Sequence, residues 1–470
     1  MKNLIAYLLP VLMFLSLLGC EPKEDILTTD PNAILSFSED TVLFDTVFTQ
    51  TGTITKRLLV YNPNEKAVKI EEIKLGKAPQ SVYKLIIDGV ESTLARNIEL
   101  RGKDSLYILV RAFIDPNNQN TPFLVTDSIT FLTNKQRQDV KLVAFGQNAY
   151  FYNDSVLTCN TVWGADKPHV IYEGVLVPKG CTLTIEPGAR VHLSNDAVIL
   201  VEGTLLVGVG GDKDHIVTFS GDRLEERFDA RPGQWNGIWF LQESQGNIIR
   251  YADIKNAVFG IRAGNPDNDP DYDIIIENSI IRNMFSAGIL SFTSDIKATN
   301  TVITNCGQYT VAGLAGGNYE FIYCTFANYS TQFNRSDASF VFSDYLELAD
   351  GNVLREPYNL KLLNSIVWGQ RSDGKQDEML FVNDGGTTSP ILAEYSLLKT
   401  EAYKSAFGAI PSNIINVDPK FRNVSRQDFR LDTLSPANGA AVVFPPVQTD
   451  ILGNIRSQSN PDMGAYERMN

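Results

Sequence analysis

Clusters of lysine and arginine are missing from this sequence. Its 41 basic residues are outnumbered by 55 acidic ones, giving a net charge of −14 and a pI near 4.8. A face that grips phosphates needs concentrated positive charge, so nucleic acid is excluded as a partner and an acidic, soluble surface is expected. Histidine is almost absent: His169, His192 and His215 are the only three. They fall 23 residues apart twice, which suggests a zinc column at one residue per repeat. Matching Val191 to Val217 sets His192 opposite Thr218 instead of His215, so three unrelated surface or loop histidines are the better reading. Cysteine is scarce as well, with Cys159, Cys181, Cys306 and Cys324 besides Cys20. Cys306 follows its repeat asparagine while Cys324 precedes its own by four, which puts those two out of register for a bond. Cys159 and Cys181, 22 apart, could pair in an exported protein, and buried single cysteines account equally well for all four. Long apolar runs are lacking beyond the first nineteen residues, and that stretch is too short and too interrupted by Pro10 for a membrane span.

What is present is a period. Asn256, Asn283, Asn305 and Asn328 each close a short apolar segment (ADIKN, SIIRN, TVITN, CTFAN), at spacings of 27, 22 and 23 residues. Repeats of this size stack into solenoids, and segments this short, rich in Ile, Val, Thr and Phe, are strands rather than helices. The expected fold class is all-β, with a right-handed parallel β-helix over residues 149–435. Thr182-Leu183 aligns with Thr204-Leu205 one coil on. The register lapses between Tyr329 and Leu363, where one coil carries a loop, and NSIVWG at 364–369 recovers the phase of NSIIRN at 278–283. EYSLLKT, from Glu394, reads as a further, degenerate coil. Residues 35–148 contain about seven short strands separated by turn residues, the pattern of a β-sandwich. Composition is ordinary for a globular chain, 43% hydrophobic and 20% charged, and 470 residues suit two or three domains.

Several segments carry family resemblances. Lys2, an apolar core and Leu17-Leu18-Gly19-Cys20 resemble a bacterial lipoprotein signal. This implies that residues 1–19 are a signal peptide and that Cys20 is acylated and anchors the chain to a membrane, with 20–34 as a polar tether. Glu21, in place of the Asp of the inner-membrane retention signal, and the Lys-Glu-Asp run resemble the export signal of Bacteroidota surface lipoproteins. They imply the outer membrane, facing the cell surface. KRLLVYNPNEKAVKIEEIKL, DSLYILVRAFID and DSITFLTN resemble the immunoglobulin-like domains of cilia- and centrosome-associated proteins and of bacterial surface proteins. VLVPKGCTLTIEPGARVHL, PGQWNGIWF and IIRYADIKNAVFGI resemble the β-helix domains of large secreted and surface proteins of Bacteroidota. The close of the chain, DPKFRN through NPDMGAYE, resembles the terminal segment of a group of bacterial β-helix proteins. There Asp462, Gly464 and Glu467 are expected to form a turn and a cap, with 436–470 closing the solenoid.

Candidate chemistry is thin. The asparagine column is best read as a structural ladder satisfying turn backbone. Ten residues before each of Asn283, Asn305 and Asn328 stand Asp273, Asp295 and Asn318. With Asp267, Asp269 and Asp271 of the insertion NPDNDPDYD, the two aspartates could offer the oxygens Ca²⁺ prefers, although acidic turns are commonly just solvated. No cofactor beyond such a Ca²⁺ is implied. Lys255 and Arg282 hold the position before the ladder and should lie one above the other, where one could act as a base facing Asp253 or the acidic turn. Polysaccharide lyases and glycoside hydrolases on this scaffold use such groups, yet outward cations on a sheet are normally solubilising. Trp235, Trp239, Trp368, Tyr309, Tyr319 and Tyr323 could stack on sugars or pack the core, and the charged loop GDRLEERFDARPG is long enough to line a groove. The expected role is a non-catalytic, glycan-binding or scaffolding envelope lipoprotein. The alternatives are a polysaccharide lyase or glycoside hydrolase, and an accessory subunit bound to envelope proteins of an outer-membrane complex.

Overall fold

The computed structural model describes residues 26–264, 271–329, 332–384 and 389–469. Cys20, expected to be the acylated residue, the expected signal segment and the first part of the expected tether lie outside them. The chain forms two compact units, the first ending at Gln147 and the second beginning at Asn148.

The first unit is a β-sandwich of two five-stranded sheets. Alternation builds it: in Lys56–Tyr61 the sequence KRLLVY turns Leu58 and Val60 inward. They share one core with Ile70, Ile73 and Phe131 of the second sheet. The expected tether over 20–34 does not stay free along its whole length. Thr28 N–H donates to Ala67 O at 2.9 Å, the Asn134 amide donates to Asp30 O at 3.0 Å, and Ala33 is buried. Asp30 also accepts from Asn32 N–H, so a side-chain turn bends this stretch onto the sandwich where composition alone suggested a loose linker.

The second unit is a parallel β-helix whose coils contribute one strand to each of three stacks. Sheet one contains Arg190–Leu193, Val217–Gly221, Ala252–Lys255, Ile280–Met284, Val302–Cys306, Thr325–Asn328 and Ile366–Gly369, paired in parallel in that order. Sheet two holds Gly237–Phe240, Phe259–Gly264, Ala287–Phe292, Tyr309–Leu314 and Phe340–Ser343. Sheet three runs through nine strands from Thr161–Trp163 to Ile391–Glu394. One continuous core of Ile, Val, Leu and Phe fills the interior. The loop in the disturbed coil is a hairpin of Tyr345–Glu347 against Val353–Arg355. Asn256, Asn283, Asn305, Asn328 and Gly369 fall in one column. Asn256, Asn283 and Asn305 have φ of +69°, +58° and +53°, the left-handed conformation that asparagine tolerates better than other side chains.

The ends are closed by elements other than the expected one. Phe407 of the short helix Lys404–Gly408 enters the core beside Phe381. At the opposite end Trp163 stacks on His169, near Tyr152. The terminal segment after residue 417 instead lies along the side of sheet one. Gly464 N–H donates to Asn364 O at 2.8 Å and Ala465 N–H to Thr325 Oγ1 at 3.0 Å. Asp462 and Glu467 do build its turn, accepting Gly439 N–H at 2.6 Å and Ser457 N–H at 2.9 Å. The cap is thus a lateral brace, because its apolar residues Phe429, Ile451 and Ala465 match outward Val302 and Ala327 rather than a coil end.

Cys159 and Cys181 form a disulfide, whereas Cys306 and Cys324 are buried thiols. His192 pairs with Ser220 rather than Thr218, two residues from the expected register. It is buried and its Nδ1 lies 3.0 Å from Ser220 Oγ, and burial pushes its pKa down from 6.5 to about 4. Between those values the unfolded chain binds a proton that the folded one refuses, so stability is complete above about pH 6.5 and falls as pH drops towards 4. The loss should approach about 3 kcal/mol. Urea unfolding of wild type and His192→Gln at about pH 7 and about pH 4.5 checks this: the variant should lose less stability on acidification.

Candidate functional site

Sheet one presents its outward positions as the floor of a groove. Alternation in Ala252–Lys255 buries Ala252 and Ile254 and turns Asp253 and Lys255 outward. One coil on, Ile280 and Arg282 occupy the same places, so Lys255 and Arg282 are stacked as the repeat implied. One wall is the loop between Gly221 and Gly237. The Gln234 amide ties it together by donating to Phe228 O and Arg231 O, both at 2.7 Å, and the Asn256 amide donates to Asp229 O at 2.9 Å. The ladder asparagine therefore fastens the wall as well as the coil. The other wall is the brace. Asn423 caps the 3-10 turn Val424–Arg426, and Gln427, at φ +58°, reaches back to donate to Asn283 Oδ1 at 2.9 Å.

Between the walls lie two clefts that meet at Ala230, Ser425 and Gln427. The larger, about 510 Å³, is lined by Asp229, Asp253, Arg282, Arg426 and Tyr466 among others. Its charges are mostly paired. Lys255 Nζ is 2.6 Å from Asp229 Oδ1, and that ammonium holds the Asp229 carboxyl below its usual range. Arg282 clasps Asp253 with two bonds of 2.8 Å. Tyr466, half-buried, has its hydroxyl pushed up to about 12 by desolvation and stays protonated. The smaller cleft, about 390 Å³, is lined by amides, Ser425 and the aromatic rings of Tyr329 and Phe333, with no charged side chain.

The remaining candidates lie elsewhere. Asp273 and Asp295 stand in register at the turn entering sheet three, away from the groove. Asp273 Oδ2 accepts Asp295 N–H at 2.9 Å, and Asp295 accepts both the backbone and side-chain N–H of Asn318, at 2.7 and 2.8 Å. These oxygens run a hydrogen-bonded ladder between coils at sheet three, whereas Lys255 and Arg282 stand on sheet one, so the four catalytic candidates do not come together. Asp271 is exposed. Asp267 and Asp269 lie outside the described residues, among which no three metal-ligating side chains converge.

Trp235 is also corrected: it is buried, and its Nε1 donates to Lys255 O at 2.9 Å. It does not share a face with Trp239, because Gly237, at φ +124°, interrupts the strand between them. Trp239 is half-buried on sheet two with the Arg262 guanidinium 4.6 Å over its ring. Tyr319 is core, its hydroxyl donating to Gly316 O at 3.0 Å, and Tyr309 is half-buried on sheet two. Trp368 and Tyr323 are buried under the brace. Sequence reasoning missed Asp229, Tyr329, Phe333, Gln427 and Tyr466; only the charged loop before Trp235 hinted at a wall.

No protein-family model matches the chain, and no curated protein matches it. Among solved structures, the catalytic unit of a GH87 α-1,3-glucanase from Streptomyces thermodiastaticus is similar over 73% of this chain and 72% of that one, with 8% identity and a TM-score of 0.30. A family 123 glycoside hydrolase from Clostridium perfringens matches over 24% of this chain at 7% identity and a TM-score of 0.18, and this chain covers only 26% of it. A PapD-like domain of human CEP192 matches over 28% of this chain and 94% of that one, at 10% identity and a TM-score of 0.17. The distant structural neighbours thus include two glycoside hydrolases. The protein is of the all-β class, with a β-sandwich and a parallel β-helix.

Proposed function

We propose that this chain is a lipid-anchored envelope protein that binds a polysaccharide along the walled groove of its β-helix without cleaving it. The observation that carries the reading is the pair of joined clefts lying across successive coils. Strands of neighbouring coils are about 4.8 Å apart, so Asn283 and Asn305 repeat their amides at an interval a linear polymer can follow. Amides, a hydroxyl and aromatic rings are the groups that recognise sugars. Against catalysis stands the state of the carboxylates: a general acid must carry a proton near neutral pH, and Lys255 keeps Asp229 ionised while Arg282 occupies both oxygens of Asp253. The anchor would be Cys20 at the outer membrane, facing the surface.

One observation favours a second reading, a lyase or glycoside hydrolase. Lys255, Arg282, Asp229 and Asp253 do converge on one groove. One experiment separates the two. The chain lacking its first twenty residues, which leaves both folded units whole, is incubated with acidic and neutral polysaccharides plus Ca²⁺. Ultraviolet absorbance, reducing ends and retardation in affinity gels are followed. Retardation without new ends is expected; new ends or unsaturated products would replace binding by catalysis, and no response to any polymer would sink both. Cys20→Ser in the full chain should abolish acylation and membrane association.

A further inference from the structure

We infer that the groove selects a glycan bearing acidic sugars beside uncharged ones, with Arg426 as the cation that meets the acid group. This rests on the glycan-binding reading above. Within and around the larger cleft Lys255 is matched by Asp229, Arg282 by Asp253, and Lys213 by Asp214 at 2.8 Å. Arg426 is left over: its guanidinium makes no ion pair among the described residues, although it lines the cleft. In a chain with net charge −14 an unmatched arginine there is not needed to balance charge for solubility.

Its position is built. Asn423 Oδ1 accepts Arg426 N–H at 3.1 Å, fixing the turn, and Gln427 beside it is tied to the floor through Asn283. The turn sets the backbone from which the Arg426 side chain leaves, and a guanidinium offers paired donors that fit a carboxylate or sulfate. Asp229 and Asp253 do not repel such a group strongly, since each already faces its own cation. Next to this cleft the other has no charged lining and carries Phe333, Tyr329 and several amides, a surface suited to an uncharged ring. One polymer crossing both clefts would place an acid group at Arg426 and a neutral sugar against the amides.

The test is affinity electrophoresis of the chain lacking its first twenty residues, wild type and Arg426→Gln, in gels containing hyaluronan, chondroitin sulfate or a neutral glucan. Thermal melting accompanies each variant, and should not shift because Arg426 is exposed. Expected is retardation by one or both acidic polymers, weakened about tenfold in Arg426→Gln and reduced by salt. The polymer retained identifies the anion as carboxylate or sulfate. Retardation by the glucan equal to that by the acidic polymers, or indifference to the variant, overturns the inference and leaves glycan binding standing. Retardation by none overturns both.

Discussion

Arg456→Ala should detach the C-terminal brace and abolish glycan retention together. Arg456 is 2% exposed, with its guanidinium carbon 3.8 Å from the centre of the Tyr323 ring. Its Nη2 donates to Asn300 Oδ1 at 2.8 Å and to Gly464 O at 3.0 Å, and its Nη1 lies 3.4 Å from Glu467 Oε2. One side chain thus joins the turn of a coil, the brace backbone and the brace's own carboxylate. Truncation takes this donor from Asn300 Oδ1 and Gly464 O and leaves the Glu467 carboxylate without its counter-charge, although Ser457 N–H and Asp462 N–H still donate to it, a loss of about 3–5 kcal/mol. The cost falls where the brace meets the coil, because the coil keeps its own ladder through the Asn300 amide, which donates to Asn278 Oδ1 at 3.0 Å. The groove should lose the wall that carries Arg426, Gln427 and Tyr466 while the solenoid persists. Limited proteolysis should trim the chain after residue 417 in the variant only. Arg456→Lys, which keeps the charge without the planar fork, should fall between. Full protease resistance with unchanged retention in Arg456→Ala would refute the brace as the groove's second wall.

The parts of this fold that were legible in the sequence are those set by local geometry. A turn that takes positive φ in three successive coils draws asparagine, so Asn256, Asn283 and Asn305 showed the period and set Lys255 under Arg282. A second column of the same kind, Asn278, Asn300 and Asn364 at φ +50°, +49° and +54°, went unread. Tyr251, Tyr323 and Tyr395 share its positive φ and break its spelling. Asp273 and Asp295 were placed in the right column without their partners: position along a coil is a matter of counting, whereas what a carboxylate accepts depends on the backbone of the next coil.

The groove itself was barely legible. Its floor is local to sheet one, but Gln427 touches Asn283 across 144 residues, and Asn300 is met by Arg456 across 156. No periodicity encodes such contacts. The terminal segment was recognisable as a closing element, and only the outward Val302 and Ala327 decide that it closes a side. Trp235 and Trp239 failed for a smaller reason, since spacing by four places residues on one face only while the strand is unbroken, and Gly237 breaks it.

Glu378→Ala should be the most destabilising single change in the second half of the solenoid, and it should blunt the uncharged cleft before the charged one. Glu378 has no exposed side-chain surface and Arg335 only 5%. Oε1 of Glu378 lies 2.8 Å from Arg335 Nη2, Oε2 accepts Ser339 Oγ–H at 2.8 Å, and Arg335 also donates to Gln370 O at 3.1 Å. The pair fastens the segment that begins at residue 332 to the next coil, and that segment supplies Gln332 and Phe333 to the smaller cleft. Removing the carboxylate leaves a guanidinium buried without its counter-charge, at about 3–5 kcal/mol, far above what an exposed pair contributes. Lys399, close enough to feel Glu378, would then face Arg335 without the anion between them; desolvation already lowers its pKa. The double change Arg335→Met with Glu378→Leu removes both charges and should recover most of the loss, as apolar replacements of buried pairs commonly do. Urea midpoints of wild type, Glu378→Ala and the double variant measure this. If Glu378→Ala is as stable as wild type, the pair does not hold the wall; if the double variant restores stability but not retention by the groove, the two charges serve the ligand rather than the fold.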